Sequence, residues 1–370
     1  MPIKISQLQD ISGSLGGDDL IEVSHKNIGG CSYISSKATM NHVACFITAS
    51  CMVGLTLTTY GQILGLNPYS SSFIKMEYVN GMLISVDPYE NILVATGSDS
   101  SYPYKNILNP QGTINIYPSF YSIIGHNCIN MTRLNAGGNR TLQTLDISGS
   151  INLDYLDCSC IPQSRYGSLP YLDLSTCKSL TWLECHDNAL VTLILPNSSL
   201  TNLNCYDNQL TSIILPPNST SSLIQFNCFG NNISELDVSS YIALTQFACM
   251  NNQLSGSLDL SNNINLNAVD CSNNALTEII LPNYQWFNYF RCDNNQLTKL
   301  TLPLTASINS FSCTNNQLDQ ESIDGILASL VRYGISGNAD LSGGTNAAPS
   351  SVGSASIAIL LDNQWGVTTN

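Results

Sequence analysis

From residue 131 onward the apolar residues recur in a fixed frame, separated first by two residues and then by one. In "LTNLNCYDNQL" (200–210), Leu200, Leu203, Cys205 and Leu210 are apolar, and polar residues fill most of the places between them. The frame returns as "LTWLECHDNAL", "LIQFNCFGNNI", "LTQFACMNNQL", "LNAVDCSNNAL", "FNYFRCDNNQL" and "INSFSCTNNQL". Its cysteines, Cys185, Cys205, Cys228, Cys249, Cys271, Cys292 and Cys313, lie 20 to 23 residues apart. "LDYLDCSCIPQ" places Cys158 at the equivalent position, and "MTRLNAGGNRT" places Ala136 there. Around Leu203 the spacing predicts a short strand. Its two-residue period turns Leu203 and Cys205 inward and Asn202, Asn204 and Tyr206 outward.

Self-similarity at a period of about 20 residues is the signature of a solenoid. The unit L-x-x-L-x-C-x-x-N-x-L resembles the leucine-rich repeat, with Cys at its third apolar place. Residues 131–318 hold about nine such coils. The second half of many units, as in "LVTLILP" and "LTSIILP", repeats apolar residues at i, i+3 and i+5 before a proline. Proline cannot donate to a ladder and ends a strand. The expected fold is therefore mainly β: a two-sheet parallel solenoid, about 40 Å long at roughly 4.8 Å per coil. Asn188, Asn208, Asn231, Asn252, Asn274, Asn295 and Asn316 stand three places after the cysteines. Turned inward, their amides can satisfy backbone groups that each bend would bury unpaired.

The flanks read differently, and four segments are expected: 1–56, 57–130, 131–318 and 319–370. Residues 57–130 are β-like, with a hairpin signal at Asn80-Gly81. Within 1–56, "MNHVACFITAS" reads as a helix. After the repeats, Asp319 opens an amphipathic helix with Ile323, Ile326, Leu327 and Leu330 on one face. A short strand, a second helix and a last strand follow, and the whole reads as a cap closing that end of the array.

Charged residues are only 10 % of the chain, so Asn, Ser and Thr must wet most of its surface. The formal charge of −14 and the lack of any basic run argue against nucleic acid as a partner. The most apolar stretch, residues 43–57, is too short to span a bilayer, and no secretion signal is expected in the first twenty residues. The eight cysteines, Cys158 included, read as core spacers: small, readily buried and one coil apart. Metal sites need ligands clustered at short spacing, so neither metal nor cofactor is expected.

Three segments resemble phage virion proteins. "KISQLQDISGSLGGDDLIEV" with "SYISSKATMNHVACFI" is similar to the N-terminal attachment segment of tail fibres and related appendages. The Cys-bearing unit resembles repeats of bacterial and phage leucine-rich-repeat proteins. "GNADLSGGTNAAPSS" with "LLDNQWGVTTN" resembles the closing segment of phage-encoded repeat proteins. The resemblance implies a virion protein on tail or capsid. It would bind other virion proteins through residues 1–56, form a homo-oligomer such as a trimer, and meet a host receptor, protein or glycan.

No nucleophile elbow, zinc-binding His-Glu-x-x-His or phosphate loop is present, and the four histidines are scattered. Glu184 and Asp270 share a face but lie four coils apart, roughly 19 Å. A non-enzymatic protein is expected. The candidate binding surface lies on the expected concave face: Trp182, Glu184, His186, Tyr206, Phe229 and Met250, with Tyr289 and Arg291 further along. Aromatic residues grouped on an Asn/Ser surface mark an interaction site. The alternatives are a cellular leucine-rich-repeat adhesin on a bacterial surface, or a capsid or tail spacer without a receptor.

Overall fold

The computed structural model describes residues 111–116, 120–160, 167–303, 305–334 and 336–370, together with short strands between residues 20 and 108. The chain forms two compact units, Met1–Leu153 and Asp154–Asn370. The helix expected over residues 40–50 lies outside the described residues.

In the first unit, Met76–Val79 pairs antiparallel with Met82–Val86 around Asn80-Gly81. Leu20–Glu22 pairs antiparallel with Lys37–Thr39, and Thr56–Thr59 with Gln62–Gly65. A four-stranded sheet sets Ile92–Gly97 between Tyr104–Leu108 and Phe120–His126, both antiparallel to it. Thr144–Asp146 then joins Phe120–His126 in parallel. Gly112–Asn115 and Met131–Asn135 pair in parallel.

The second unit is built on a parallel front sheet. Its strands are β1 (Tyr155–Asp157), β2 (Trp182–Glu184), β3 (Asn202–Asn204), β4 (Gln225–Asn227), β5 (Gln246–Ala248), β6 (Ala268–Asp270), β7 (Tyr284–Arg291), β8 (Thr305–Ser312), β9 (Asn338–Asp340) and β10 (Gly366–Thr368). Each pairs with the next in sequence order, so equivalent positions of successive units lie side by side. The central residue of each three-residue strand points inward. Leu183, Leu203, Phe226, Phe247, Val269, Phe290 and Phe311 form one buried column by this register. Its aromatic members touch: ring centroids are 5.7 Å apart for Phe226 and Phe247, and 5.8 Å for Phe290 and Phe311.

Two places after that residue comes the cysteine, and the backbone ladder runs on through it. The Cys205 N–H donates to the Asn227 carbonyl of the next coil, and the Cys228 N–H to that of Ala248. The chain then bends through one residue in the left-handed region: Asp187, Asp207, Gly230, Asn251, Asn273, Asn294 or Asn315, with φ between 49° and 65°. Gly, Asn and Asp tolerate that conformation best, which explains why these three residue types alone occupy the position from Asp187 onward.

The following Asn closes the bend. The Asn208 amide nitrogen donates toward the carbonyls of Cys185 (3.1 Å), Cys205 (3.0 Å) and Tyr206 (3.1 Å). Its oxygen accepts from the Leu190 N–H at 3.0 Å. One side chain thus ties two coils through groups that are otherwise buried and unpaired. Asn231, Asn252, Asn274, Asn295 and Asn316 repeat the arrangement.

All eleven cysteines among the described residues are buried and free. Burial pushes the thiols of Cys185, Cys228, Cys249 and Cys271 well up, so they stay protonated and unreactive. Cys228→Ala should destabilise the repeat unit by about 1–2 kcal/mol through the cavity it leaves. Denaturant titration measures the loss. Mass spectrometry should find these thiols alkylated only after unfolding, and reducible pairs among them would contradict the packing.

The rear differs from the expected continuous second sheet. Among the described residues, strands occur there only as two parallel pairs, Tyr171–Asp173 with Thr192–Ile194 and Ser255–Asp259 with Ala275–Ile280. Between them Pro216 and Pro217 supply no backbone donor, and a 3-10 turn, Pro217–Ser219, replaces a strand. Coils of unequal length also carry their rear segments out of step. Beyond β8 the rear becomes helical: α1 (Gln320–Tyr333), capped by Asp319 through the Ser322 N–H at 2.8 Å, and α2 (Ser351–Asp362), capped by Ser350.

Candidate interaction surface on the front sheet

The outward positions of the front sheet form three parallel columns. The columns are set by the places flanking the buried strand residue and by the residue after the cysteine. The last of these holds His186, Tyr206, Phe229 and Met250 on adjacent coils. Strand spacing is about 4.8 Å, close to aromatic stacking distance, so neighbouring rings at this position can lie face to face. They do. His186 and Tyr206 stack at 4.2 Å with planes 8° apart, and Tyr206 and Phe229 at 4.3 Å with planes 10° apart. Met250 stands in the next coil, and its carbonyl accepts from the Gly230 N–H.

Carboxylates border the stack at one end. His186 Nδ1 lies 2.7 Å from Asp187 Oδ2, and a carboxylate can only accept, so Nδ1 carries the hydrogen. Nε2 lies 3.7 Å from Glu184 Oε2. Glu184 also accepts from the Trp182 indole N–H at 2.6 Å and from the Asn204 amide at 2.9 Å. Asn227 in turn donates to Asn204 Oδ1 at 2.6 Å, and Asn202 to Gln225 at 3.1 Å. Burial, followed by the charges of Asp187, Glu184 and Asp207, pushes the Tyr206 phenol up to about 12. It is therefore a neutral donor at ordinary pH. Burial and Asp187 likewise raise the Asp207 carboxyl, against a smaller lowering by His186.

Of the eight residues singled out from the sequence, Trp182, Glu184, His186, Tyr206 and Phe229 form one connected group, with Met250 beside it. Tyr289 and Arg291 stand apart. They occupy the columns of Trp182 and Glu184, but Asn202, Gln225, Gln246 and Ala268 intervene in the first column. Five strand spacings amount to roughly 24 Å. There the Arg291 guanidinium lies over the Tyr289 ring at 5.6 Å, a separate cation–π pair.

Sequence reasoning passed over several members of this surface. Tyr155 faces Trp182 in register, with ring centroids 6.3 Å apart; alignment of "LDYLDCSC" with the later units places it there. Asn204 and Asn227 read as surface wetting, yet Asn204 is buried by its neighbours and relays Glu184 along the sheet. Trp286 is 53 % exposed at the start of β7, whose extra length lies outside the repeat frame.

Among the described residues no three His, Cys, Asp or Glu side chains gather as a metal would require. No helix among them is long and apolar enough to cross a membrane.

The register and packing define a leucine-rich-repeat solenoid with an internal cysteine column. No protein-family model matches the chain, and no curated protein does. Several solved structures are similar in part. The functional domain of InlJ from Listeria monocytogenes, which includes a cysteine ladder, is 24 % identical at a TM-score of 0.41, over 58 % of this chain and 51 % of that one. The chain thus spans about half the length of that domain. The internalin InlF of Listeria monocytogenes is 16 % identical at 0.42, over 68 % and 86 %. A leucine-rich-repeat protein of Leptospira interrogans is 20 % identical at 0.40, over 65 % and 73 %.

Proposed function

We propose that the chain is an interaction protein whose front sheet docks a protein partner along the edges of the His186–Tyr206–Phe229 stack. The stack itself carries this reading. Tyr206 has both faces covered, and His186 and Phe229 have one face each covered, so the stack presents mainly ring edges to a ligand. Ring edges are electropositive and suit carbonyl oxygens and the faces of a partner's aromatic side chains. The carboxylates of Glu184, Asp187 and Asp207 beside the rings favour a partner that pairs an apolar contact with a cationic rim, since charge complementarity steers and orients docking. The docking surface also stands on rigid parallel strands rather than loops, so little ordering entropy opposes binding.

The sequence resemblance supports a finer version. In it the chain is a homo-oligomeric phage virion component, held to other virion proteins by residues 1–56, and it presents the repeats to a protein receptor on the host. Antibody against the repeats should then label intact particles; particles that carry no such label would refute the virion role. Particles bearing Tyr206→Ala with Phe229→Ala should assemble normally and lose at least about tenfold in host adsorption, as for aromatic hot spots. Adsorption and assembly both unchanged would remove the stack as the docking surface.

A further inference from the structure

At the acidic end of the stack, Glu184 and His186 are each anchored through one polar atom and leave the other open. Glu184 Oε1 takes two donors, the Trp182 indole N–H at 2.6 Å and the Asn204 amide at 2.9 Å. Asn204 is buried and is itself bonded by Asn227, so the carboxylate is held in place. His186 is fixed by Asp187 at Nδ1 and by the Tyr206 ring against its face. Glu184 Oε2 and His186 Nε2 then stand 3.7 Å apart, too far to bond each other. With the hydrogen on Nδ1, Nε2 is a lone-pair acceptor. Two acceptors thus face one gap with no donor between them.

A second carboxylate adjoins that gap. Asp157 of β1 lies in register with Glu184 of β2. Its Oδ1 accepts from the Ser159 N–H at 3.0 Å and from the Ser159 hydroxyl at 2.6 Å, while Oδ2 has no partner among the described residues. Like charges directly opposite on neighbouring strands repel, and among the described residues no Lys or Arg pairs with either carboxylate. In the preceding column Tyr155 and Trp182 set their ring centroids 6.3 Å apart with planes 32° apart, and Trp182 is 37 % exposed. Rings beside an unneutralised carboxylate pair suit a cation that is flat, with donors around its rim. A guanidinium has that form: N–H donors in one plane, weak hydration and a face that stacks on aromatic rings. An ammonium is a compact, strongly hydrated point charge with no such face.

We infer that this end of the front sheet seats an arginine side chain of the protein partner. Its guanidinium donates to Asp157, Glu184 Oε2 and His186 Nε2 and lies against Trp182. The inference rests on the front-sheet docking proposed above and names the partner group that docking would use. Charge complementarity argues for this occupant. The chain carries −14 overall, and Asp187 and Asp207 follow Asp157 and Glu184 around the gap.

The test uses the full chain with isotope-labelled histidine in mildly alkaline buffer; the His186 side-chain resonance is identified by its loss in His186→Gln. The probe is the blocked tripeptide acetyl-Thr-Arg-Thr-amide. Two further versions replace its arginine by citrulline, which has the same shape without the charge, or by lysine. The arginine probe should shift the His186 Nε2 resonance saturably and bind at least about fivefold more tightly than either, since charge-assisted, planar pairing is the stronger kind. Glu184→Gln, which keeps an acceptor for Trp182 and Asn204, should weaken the arginine probe by about the same factor with circular dichroism unchanged. An unmoved resonance, equal binding of the citrulline or lysine probe, or an unchanged affinity in Glu184→Gln overturns the inference. No partner enters this measurement, so its failure is distinct from that of the stack, which particle adsorption reads.

Discussion

Phe290→Ala is expected to cost the repeat unit about 3–5 kcal/mol, the usual range for emptying a buried phenylalanine site. Phe290 is fully buried, and its ring lies 5.5 Å from Phe287 and 5.8 Å from Phe311. The loss therefore combines the transfer energy of the ring, the cavity and two aromatic contacts. Front-sheet strands above and below hold the backbone in place, so the site cannot collapse to refill the space. Because each coil touches only its neighbours, the damage should be local before it is global. Hydrogen exchange should accelerate first in β6, β7 and β8, with a lower midpoint in denaturant. A loss under about 1 kcal/mol would show that the column is loosely packed, against the register described.

Asn208→Ala is expected to rank second, at about 2–4 kcal/mol, although it deletes only a small polar group. The amide serves the Leu190 N–H and approaches three carbonyls, in a position only 7 % exposed. Each buried backbone group left unpaired costs about 1–3 kcal/mol, and water cannot reach all of them. Asn208→Asp keeps the acceptor for Leu190 but sets oxygen against carbonyl oxygens, so it should be no better than alanine. Asn202→Ala, whose side chain meets only Gln225 at the half-exposed front, should stay within about 0.5 kcal/mol. Equal effects of Asn202→Ala and Asn208→Ala in urea titrations would deny the bridging role.

These two positions show why the fold was readable. The inward strand residue, the cysteine and the following asparagine stand at constant spacing, and each has a local reason to be there: pleat alternation, small apolar volume, and a bend with buried polar groups. Coil lengths of 20 to 23 residues vary too little to disturb that front half. They vary enough to break the rear, where Pro216 and Pro217 interrupt what the apolar spacing suggested was a sheet. The bend residue before each asparagine was readable too, but only once its left-handed φ explained the Asp, Gly and Asn found there.

The surface was less legible because it depends on pairs of residues from different coils. Tyr206 and Phe229 are 23 residues apart in the chain, and nothing local says that their rings will lie parallel rather than splay. Tyr289 and Arg291 looked like further members of the same group; the register sets them five strands away.

By itself, then, the sequence determined the coil: which residues face in, where each strand stops, and which side chain satisfies the bend, since all of these follow from interactions within one repeat period. The tertiary structure alone decided which outward residues become neighbours and where the rear ladder fails. Those outcomes depend on how one coil lies on the next, through ring stacking at strand spacing and through backbone groups whose partners, present or missing, belong to another turn of the chain.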